Sequence, residues 1–582
     1  MGKTVDYNKK MIISVFPTVL VSLAVTEVLQ LSDAIIASLV LHEERVLSAI
    51  GLCTTAFLIA TFIGTLIARG SGIMYNLKLG RNDKKSADIV FSQGLLISAA
   101  FSVLLLLASF LCEDTYLNAF GSGDAAVMQY SHAYYGWYRF VNGLIPFFFF
   151  FTEMNYADGA ASIVGIANIA MASVKIGTSV LLSTVGGMGV AGISLGSFLG
   201  YLAGTLIMSV HFFRKASSFH FVLKLSRPLL KQTLDRSIVD AVCALFLAGM
   251  GFSLNLFSIR MFGDAVLPIT ALVIQMISGE GLFDSVGEAM TPFLSVYVGE
   301  KNNGLCRHTF KIARRLAVLL GVSVSVLCFI CARPFAILLG IVTPELLSKA
   351  VTVIRIVSVT MLGSAMMYLY ASYYVVAGRT GLGVLCSFLK DFFLPTALGV
   401  LGGAIGKAAL GPEAGFFGLW CGISLGFALT VPVLHLIIRI RYGKDAFALI
   451  QEPDGMATAS FDFPVTTEEI IRVRDRVFAF CKERNISARC ANRMGFIAEE
   501  MLGEIADNNK KRVYGEITVA GKGNTVRLII RDSGEVNSVI RQEPMPDSIR
   551  KYCIDSMMQK SSYHDYLLTN GRNRYVFEFT DE

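Results

Sequence analysis

Glu280, Asp284 and Glu288 stand four residues apart within an otherwise apolar stretch. On a helix this spacing puts three carboxylates on one face, with no basic residue between them. Neighbouring like charges raise one another's affinity for protons, and burial raises it further. Such a stripe could hold a proton or a monovalent cation and change its charge with occupancy; the alternative is a water-lined helix face. Ser22, Thr26, Gln30 and Asp33 recur at steps of three and four. They line one helical face, which could be a polar stripe that packs helices together, and Glu27 lies off that face. Lys390 and Asp391 are adjacent. Neighbours in a helix do not face each other, so Lys390 is expected to pair with another helix. Asp240 opens one segment, Glu153 and Asp158 close another, and Asn255 could hydrogen-bond across a bundle. Met366, Met367, Tyr368, Tyr370, Tyr373 and Tyr374 crowd one stretch. Aromatic faces attract organic cations and Met adapts to varied shapes, so this is a substrate surface or simple packing.

The elements that hold these residues are set by composition. The chain has 582 residues, 54% hydrophobic and 16% charged. A soluble domain carries about 25% charge, so a wholly soluble chain is excluded, as is disorder. The average conceals two parts. Residues 451–582 carry 19 Lys and Arg and 21 Asp and Glu, while residues 1–450 carry 32 and 23. A sparsely charged membrane body with net charge +9 is therefore joined to a soluble tail with net charge −2. No nucleic-acid partner is implied, because the basic excess belongs to the membrane part and has a topological origin.

A spanning helix needs about 20 apolar residues, and stretches of that kind recur about twelve times. They lie near 11–38, 47–74, 88–112, 130–153, 160–183 and 189–212, then near 237–260, 265–298, 310–332, 347–376, 381–405 and 414–438. Basic clusters (Lys3, Lys9 and Lys10; Lys78, Arg81, Lys84 and Lys85; Arg214 to Lys231; Lys301 to Arg315; Arg439 to Lys444) occupy alternate loops. Loops with His42, Glu43 and Glu44, and with Glu113 and Asp114, lie between. The positive-inside rule places both termini in the cytoplasm of a multi-pass plasma-membrane protein. The sequence also repeats: Gly80 to Gly299 and Gly159 to Gly378 are both 219 residues apart. Two parallel halves with an axis along the membrane normal create a cleft that can open to either side. The expected fold is an α-helical polytopic membrane protein. Residues 1–220 and 221–440 form two six-helix bundles, 441–460 a linker, and 461–582 a cytoplasmic α/β sandwich.

Pro17, then Leu31-Ser32-Asp33-Ala34-Ile35-Ile36-Ala37, then Leu47-Ser48-Ala49-Ile50-Gly51 resembles the first helix and loop of the multidrug and toxic compound extrusion (MATE) family. Gly70-Ser71-Gly72 with Gly80 resembles the end of that family's second helix, and Ala377-Gly378-Arg379-Thr380 its tenth-to-eleventh junction. The resemblance covers roughly residues 10–440. It implies cation-coupled export of amphipathic or cationic small molecules and associates Asp33 with coupling. The Glu280–Glu288 stripe departs from the family pattern.

In the tail, Phe461-Asp462-Phe463 reads as a strand, and Thr466-x-x-Glu469 as a capping box opening a helix to about Arg484. A helix near 487–508, strands near 514–520 and 525–531, a helix near 547–559 and strands near 563–568 and 573–579 follow. This order resembles the ATP-binding domain of histidine kinases and anti-sigma factors. Glu500 takes the place of the catalytic Glu, but Glu504 stands where a magnesium-binding Asn is expected. Asp532-Ser533-Gly534 resembles the adenine-reading strand end. Ser548-Ile549-Arg550-Lys551 replaces the glycine-rich lid, and without glycines the backbone cannot wrap phosphates closely. ATP binding is therefore doubtful and no enzyme activity is expected. No Walker A motif is present, and the eleven scattered Cys, Cys328-x-x-Cys331 included, indicate neither disulfides nor metal.

The leading expectation is a proton- or sodium-driven antiporter with a regulatory tail that engages a cytoplasmic protein. A lipid-linked precursor flippase, which would want a basic cavity, and a transporter-like sensor signalling through its tail remain alternatives.

Overall fold

A computed structural model describes residues 7–37, 44–120, 125–214, 217–263, 267–338, 341, 343–443, 457–509, 512–522, 524–535 and 549–581. Lys3, His42, Glu43, Lys215, Ser548 and the expected flexible linker centre at Asp454-Gly455 lie outside these residues.

The first half of the body contains α1 (Tyr7–Ile36), α2 (Glu44–Gly80), α3 (Lys84–Leu111), the short α4 (Glu113–Phe120), α5 (Ala125–Ala157), α6 (Ala161–Thr184) and α7 (Val190–Ser209). The second contains α8 (Arg227–Phe262), α9 (Leu267–Ser278), α10 (Asp284–Gly299), α11 (Asn303–Ile330), α12 (Ala332–Leu338), α13 (Pro344–Ser358), α14 (Thr360–Val376), α15 (Thr380–Phe388), α16 (Leu394–Leu410) and α17 (Pro412–Tyr442). A 3-10 turn, Gly279–Phe283, joins α9 to α10, and a π turn, Leu389–Phe393, joins α15 to α16. Among the described residues eight helices are long and apolar enough to cross a membrane, or nine if α13 and α14, bent by 41°, form one span.

The internal repeat is written into the backbone. Gly159 and Gly378 have φ of 75° and 76°, and Asn82 and Lys301 have φ of 59° and 60°. Asp83 caps α3 by accepting from the Ser86 amide, and Asn302, 219 residues on, caps α11 by accepting from the Leu305 amide. Left-handed backbone is costly for a residue such as Lys301, so its recurrence marks a turn fixed by its surroundings. The repeat-related Gly80 and Gly299 touch each other where α2 crosses α10: a Cβ on Gly80 would lie 3.0 Å from the Gly299 Cα and run into the Val296 carbonyl. Gly80→Ala should therefore lower stability by about 1–3 kcal/mol, the usual cost of overpacking. Thermal unfolding in detergent checks this, and an unchanged midpoint would count against so tight a crossing. The start of α1 packs with the second half, where Tyr297 donates to Asn8 at 2.7 Å and Tyr7, Met11 and Ile12 join its core.

The tail comprises β1 (Ala457–Pro464), α18 (Thr467–Glu483), α19 (Ala488–Asp507), β2 (Tyr514–Lys522), β3 (Thr525–Asp532), α20 (Ile549–Gln559), β4 (Tyr563–Thr569) and β5 (Arg572–Thr580). Its sheet has the order β1-β2-β3-β5-β4 and every pair is antiparallel. The first strand begins four residues earlier than expected and α17 ends at Tyr442, so the connection between them is shorter than 441–460. Thr466 makes no side-chain cap; Glu469 pairs instead with Arg472. One face of the sheet alternates Val526, Leu528 and Ile530 with Tyr575, Phe577 and Phe579 against α18 and α19, as period-two patterning requires. The other face rests on the membrane body.

Candidate functional site: buried charge clusters between and within the halves

Among the described residues, three clusters of buried charge in the body hold the acids expected from the sequence to be functional, apart from Asp158, which pairs with His211 at 2.7 Å. The first lies where the halves meet. Arg69 reaches from α2 and is 4% exposed. Its guanidinium contacts Glu288 directly, and it stands 3.5 Å from Asp284, 3.6 Å from Glu153 and 3.7 Å from Asp240. It also donates to Ser372 at 3.2 Å, and the Ser372 hydroxyl donates to Asp284 at 3.2 Å. Four carboxylates from α5, α8 and α10 thus surround one cation, with Arg69 and Glu153 from the first half and the other three acids from the second. If all five are ionised, the cluster carries three excess negative charges.

The second cluster is inside the first half. Asp33 of α1 is held by Lys175 of α6 at 3.1 Å, by the Tyr134 hydroxyl at 2.8 Å and by Ser197 at 3.1 Å. Lys175 also donates to the Leu29 carbonyl at 3.1 Å. Further along α1, Ser22 accepts from Asn168 at 2.6 Å and from Tyr156 at 3.3 Å, while Thr26 folds back onto the Ser22 carbonyl. Glu27, off this face, packs against Gly281 of the second half.

The third cluster is inside the second half. Lys390 lies 3.7 Å from Glu280, contacts Asp391, and sits 4.1 Å above the Tyr368 ring. Cys243 donates to Asp391 at 3.1 Å. Lys390 thus reaches other elements, as expected, through Glu280 and Tyr368, and it also contacts Asp391, its neighbour in the π turn. Lys175 and Lys390 are 215 residues apart, one helical turn short of the 219-residue repeat. Each half thus buries a lysine of its fifth expected span against a carboxylate.

The acidic stripe is therefore not one surface. Glu280 belongs to the 3-10 turn and faces Lys390, whereas Asp284 and Glu288 belong to α10 and face Arg69. Tyr370, Tyr373 and Tyr374 are buried in the second half's core against Phe310, and the Tyr370 hydroxyl lies 3.0 Å from a His435 ring nitrogen. Of the four tyrosines only Tyr368 joins a charge cluster. The side chains of Gln30 and Asn255 lie outside the described ones. Arg69 and Lys175 were not singled out from the sequence. A lone basic residue beside Gly70-Ser71-Gly72, and another inside the apolar run Met171–Ile176, were the available signals.

In the tail, Glu500 pairs with Arg550 at 3.2 Å, and Arg550 also contacts Asp507. Arg550 thus lies across α19 at Gly503. Glu504 accepts from Asn508 at 3.0 Å. Asp532 accepts from the Gly534 amide at 2.8 Å and from Asn573 at 2.9 Å, and burial pushes its carboxyl up to about 6. The four residues of the expected nucleotide site are each engaged by the tail's own groups. Among the described residues no group of His, Cys, Asp and Glu is arranged to hold a metal.

Residues 17–181 match the sequence model of the MatE family. The chain is 21% identical over 422 residues to the multidrug export protein MepA of Staphylococcus aureus, covering 71% of this chain and 90% of that protein. An outward-facing multidrug resistance MATE transporter of the MOP superfamily superposes with a TM-score of 0.67 at 18% identity, over 76% of this chain and 96% of the other. A MOP-superfamily transporter from Pyrococcus furiosus, described as having a binding pocket of reversed polarity, gives 0.67 at 18%, over 76% and 97%. The unmatched quarter is about the length of the tail with its linker. The membrane body therefore has the helical fold of the MATE proteins, which are transporters and not enzymes, and it carries a small antiparallel domain after its last helix.

Proposed function

We propose that this protein is a multidrug exporter of the MATE type. It is a secondary antiporter, driven by protons or sodium ions, that expels amphipathic or cationic small molecules by alternating access. Twelve spans, six in each half, place both termini and the tail in the cytoplasm, and the tail regulates transport. The observation that carries this reading is the ring of four carboxylates, drawn from both halves, around Arg69.

With its carboxylates ionised, Arg69 ties α2 to α10 and draws the halves together. A proton or sodium ion at Glu288 or Asp284 weakens that tie, and an organic cation competes for the same negative charge. Ion and substrate thus exclude each other, as an antiporter requires. Inside the halves Lys175 and Lys390 act as built-in cations. Protonating Asp33 or Glu280 releases the ammonium group and repacks that half. The resemblance of residues 10–440 to MATE proteins and the likeness to MepA support export of drugs rather than of lipid-linked precursors, and the central cluster is acidic rather than basic.

The test is uptake of a fluorescent organic cation into inverted vesicles under imposed proton and sodium gradients. Accumulation should follow one of them and fall at least tenfold in Glu288→Gln and Asp284→Asn. No response to either gradient would count against coupled export. The tail's contact with both halves favours a second reading, a ligand sensor, which predicts that no gradient drives uptake with or without residues 451–582.

A further inference from the structure

The sheet face that meets the body carries charge where solvent-facing residues would be expected. Glu516 of β2, Arg531 of β3 and Arg574 of β5 are cross-strand neighbours. All three are buried, as is Glu300 at the end of α10. Arg531 contacts both Glu516 and Glu300. Arg574 donates to Glu300 at 2.9 Å, to the Asn82 side chain at 2.6 Å and to the Gly80 carbonyl at 3.4 Å. Gly80 and Asn82 belong to the first half, Glu300 to the second. One guanidinium therefore grips both halves at the point where α2 crosses α10. Around it, Asn302 donates to Ser460 at 3.1 Å, the Asn570–Gly571 turn packs on Asp158 and Gly159, and the Lys10 ammonium sits 3.4 Å above the Tyr514 ring.

A body that opens at this end must part Gly80 from Gly299. The Arg574 fork cannot then keep Asn82 and Glu300 together. Arg531 and Arg574 stand side by side, and their charges are balanced by Glu300 and Glu516; removing Glu300 leaves two buried cations facing one acid. Such a junction is all-or-none, because a half-broken buried network is worse than none.

We propose that the tail is an intramolecular lock, in which Arg531 and Arg574 hold the two halves together so that the body opens on the tail side only when the tail lets go. This deepens the reading of the tail as a regulator of transport and rests on it. The acid that Arg531 and Arg574 share stays ionised at ordinary pH. Burial works to raise the Glu300 carboxyl, but Arg531 and Arg574 outweigh it and hold that carboxyl below its usual 4.5. A depressed acid contributes fully above its unfolded value and loses its contribution only as pH falls through the folded one. Glu516 faces the same junction, and burial raises its carboxyl above the usual 4.5 although Arg531 works to lower it; Tyr297, Tyr7 and His308 also act on these groups.

The test places a cysteine at Leu77, beside Gly299 in the α2–α10 crossing, and follows its alkylation in full-length protein in liposomes, read peptide by peptide. Arg531→Ala with Arg574→Ala should raise the alkylation rate at least tenfold. Glu300→Gln, made in the body rather than the tail and nearly isosteric, should raise it severalfold. Hydrogen exchange of α19 reports whether the tail stays folded, and exchange of β3 and β5 whether it undocks. Faster labelling with a folded, undocked tail supports the lock. Unchanged labelling in both variants overturns it. Faster labelling without any gradient-driven transport would keep the lock and sink the export reading instead.

Discussion

Arg69→Ala should destabilise the membrane body by about 3–5 kcal/mol, the cost of stripping a buried charge of its partner, and should abolish transport. The substitution leaves Glu153, Asp240, Asp284 and Glu288 converging on an empty centre. Arg69→Lys should recover little, because an ammonium cannot replace a planar fork that contacts acids on three helices at once. Adding Glu288→Gln to Arg69→Ala should restore much of the stability, since the closest carboxylate no longer needs a partner. That recovery is a coupling energy, measured by a double-mutant cycle in thermal or chemical unfolding. Additive losses would show that Arg69 and Glu288 do not act together. Normal transport by Arg69→Ala would remove the central cluster from the mechanism.

The Asp33–Lys175 pair should behave differently. Lys175→Met strands Asp33 among Tyr134 and Ser197 and should also cost about 3–5 kcal/mol. Asp33→Asn with Lys175→Met should fold nearly as well as the native chain, because an amide accepts from the same hydroxyls and no charge is left unpaired. If Asp33 couples transport to an ion gradient, this well-folded double variant will bind substrate yet no longer respond to the gradient. A full gradient response from it would reduce the pair to a structural rivet.

These experiments centre on residues of uneven visibility in the sequence. Acids inside apolar spans stand out, since each costs energy to bury, and Asp33, Glu280, Asp284 and Glu288 were all legible on that ground. Their partners were harder to see. Arg69 sits at the glycine-rich end of its span and passes for a loop residue, and Lys175 is a single cation among small residues. The four-residue spacing of the stripe was real, but Gly279 and Gly281 flank Glu280 and the chain takes a 3-10 turn there, so the face divides. The tail's helices and strands followed from their alternation, within a few residues. Its docking did not, because Arg531 and Arg574 alternate with apolar neighbours just as exposed arginines do. Only the tertiary arrangement shows that their outward face is covered.

The repeat has one more consequence. Repeat-related turns that meet at Gly80 and Gly299 offer a single domain two seats, related by half a turn about an axis passing between these glycines. The residue 219 positions before Glu300 is Arg81. A tail seated the other way round would press Arg531 and Arg574 against a third arginine and forfeit their shared acid. The charges of the duplicated turns, Arg81-Asn82-Asp83 against Glu300-Lys301-Asn302, thus act as a compass: the tail is accepted in one orientation, resting on Gly159 while its twin, Gly378, stays beside Arg236.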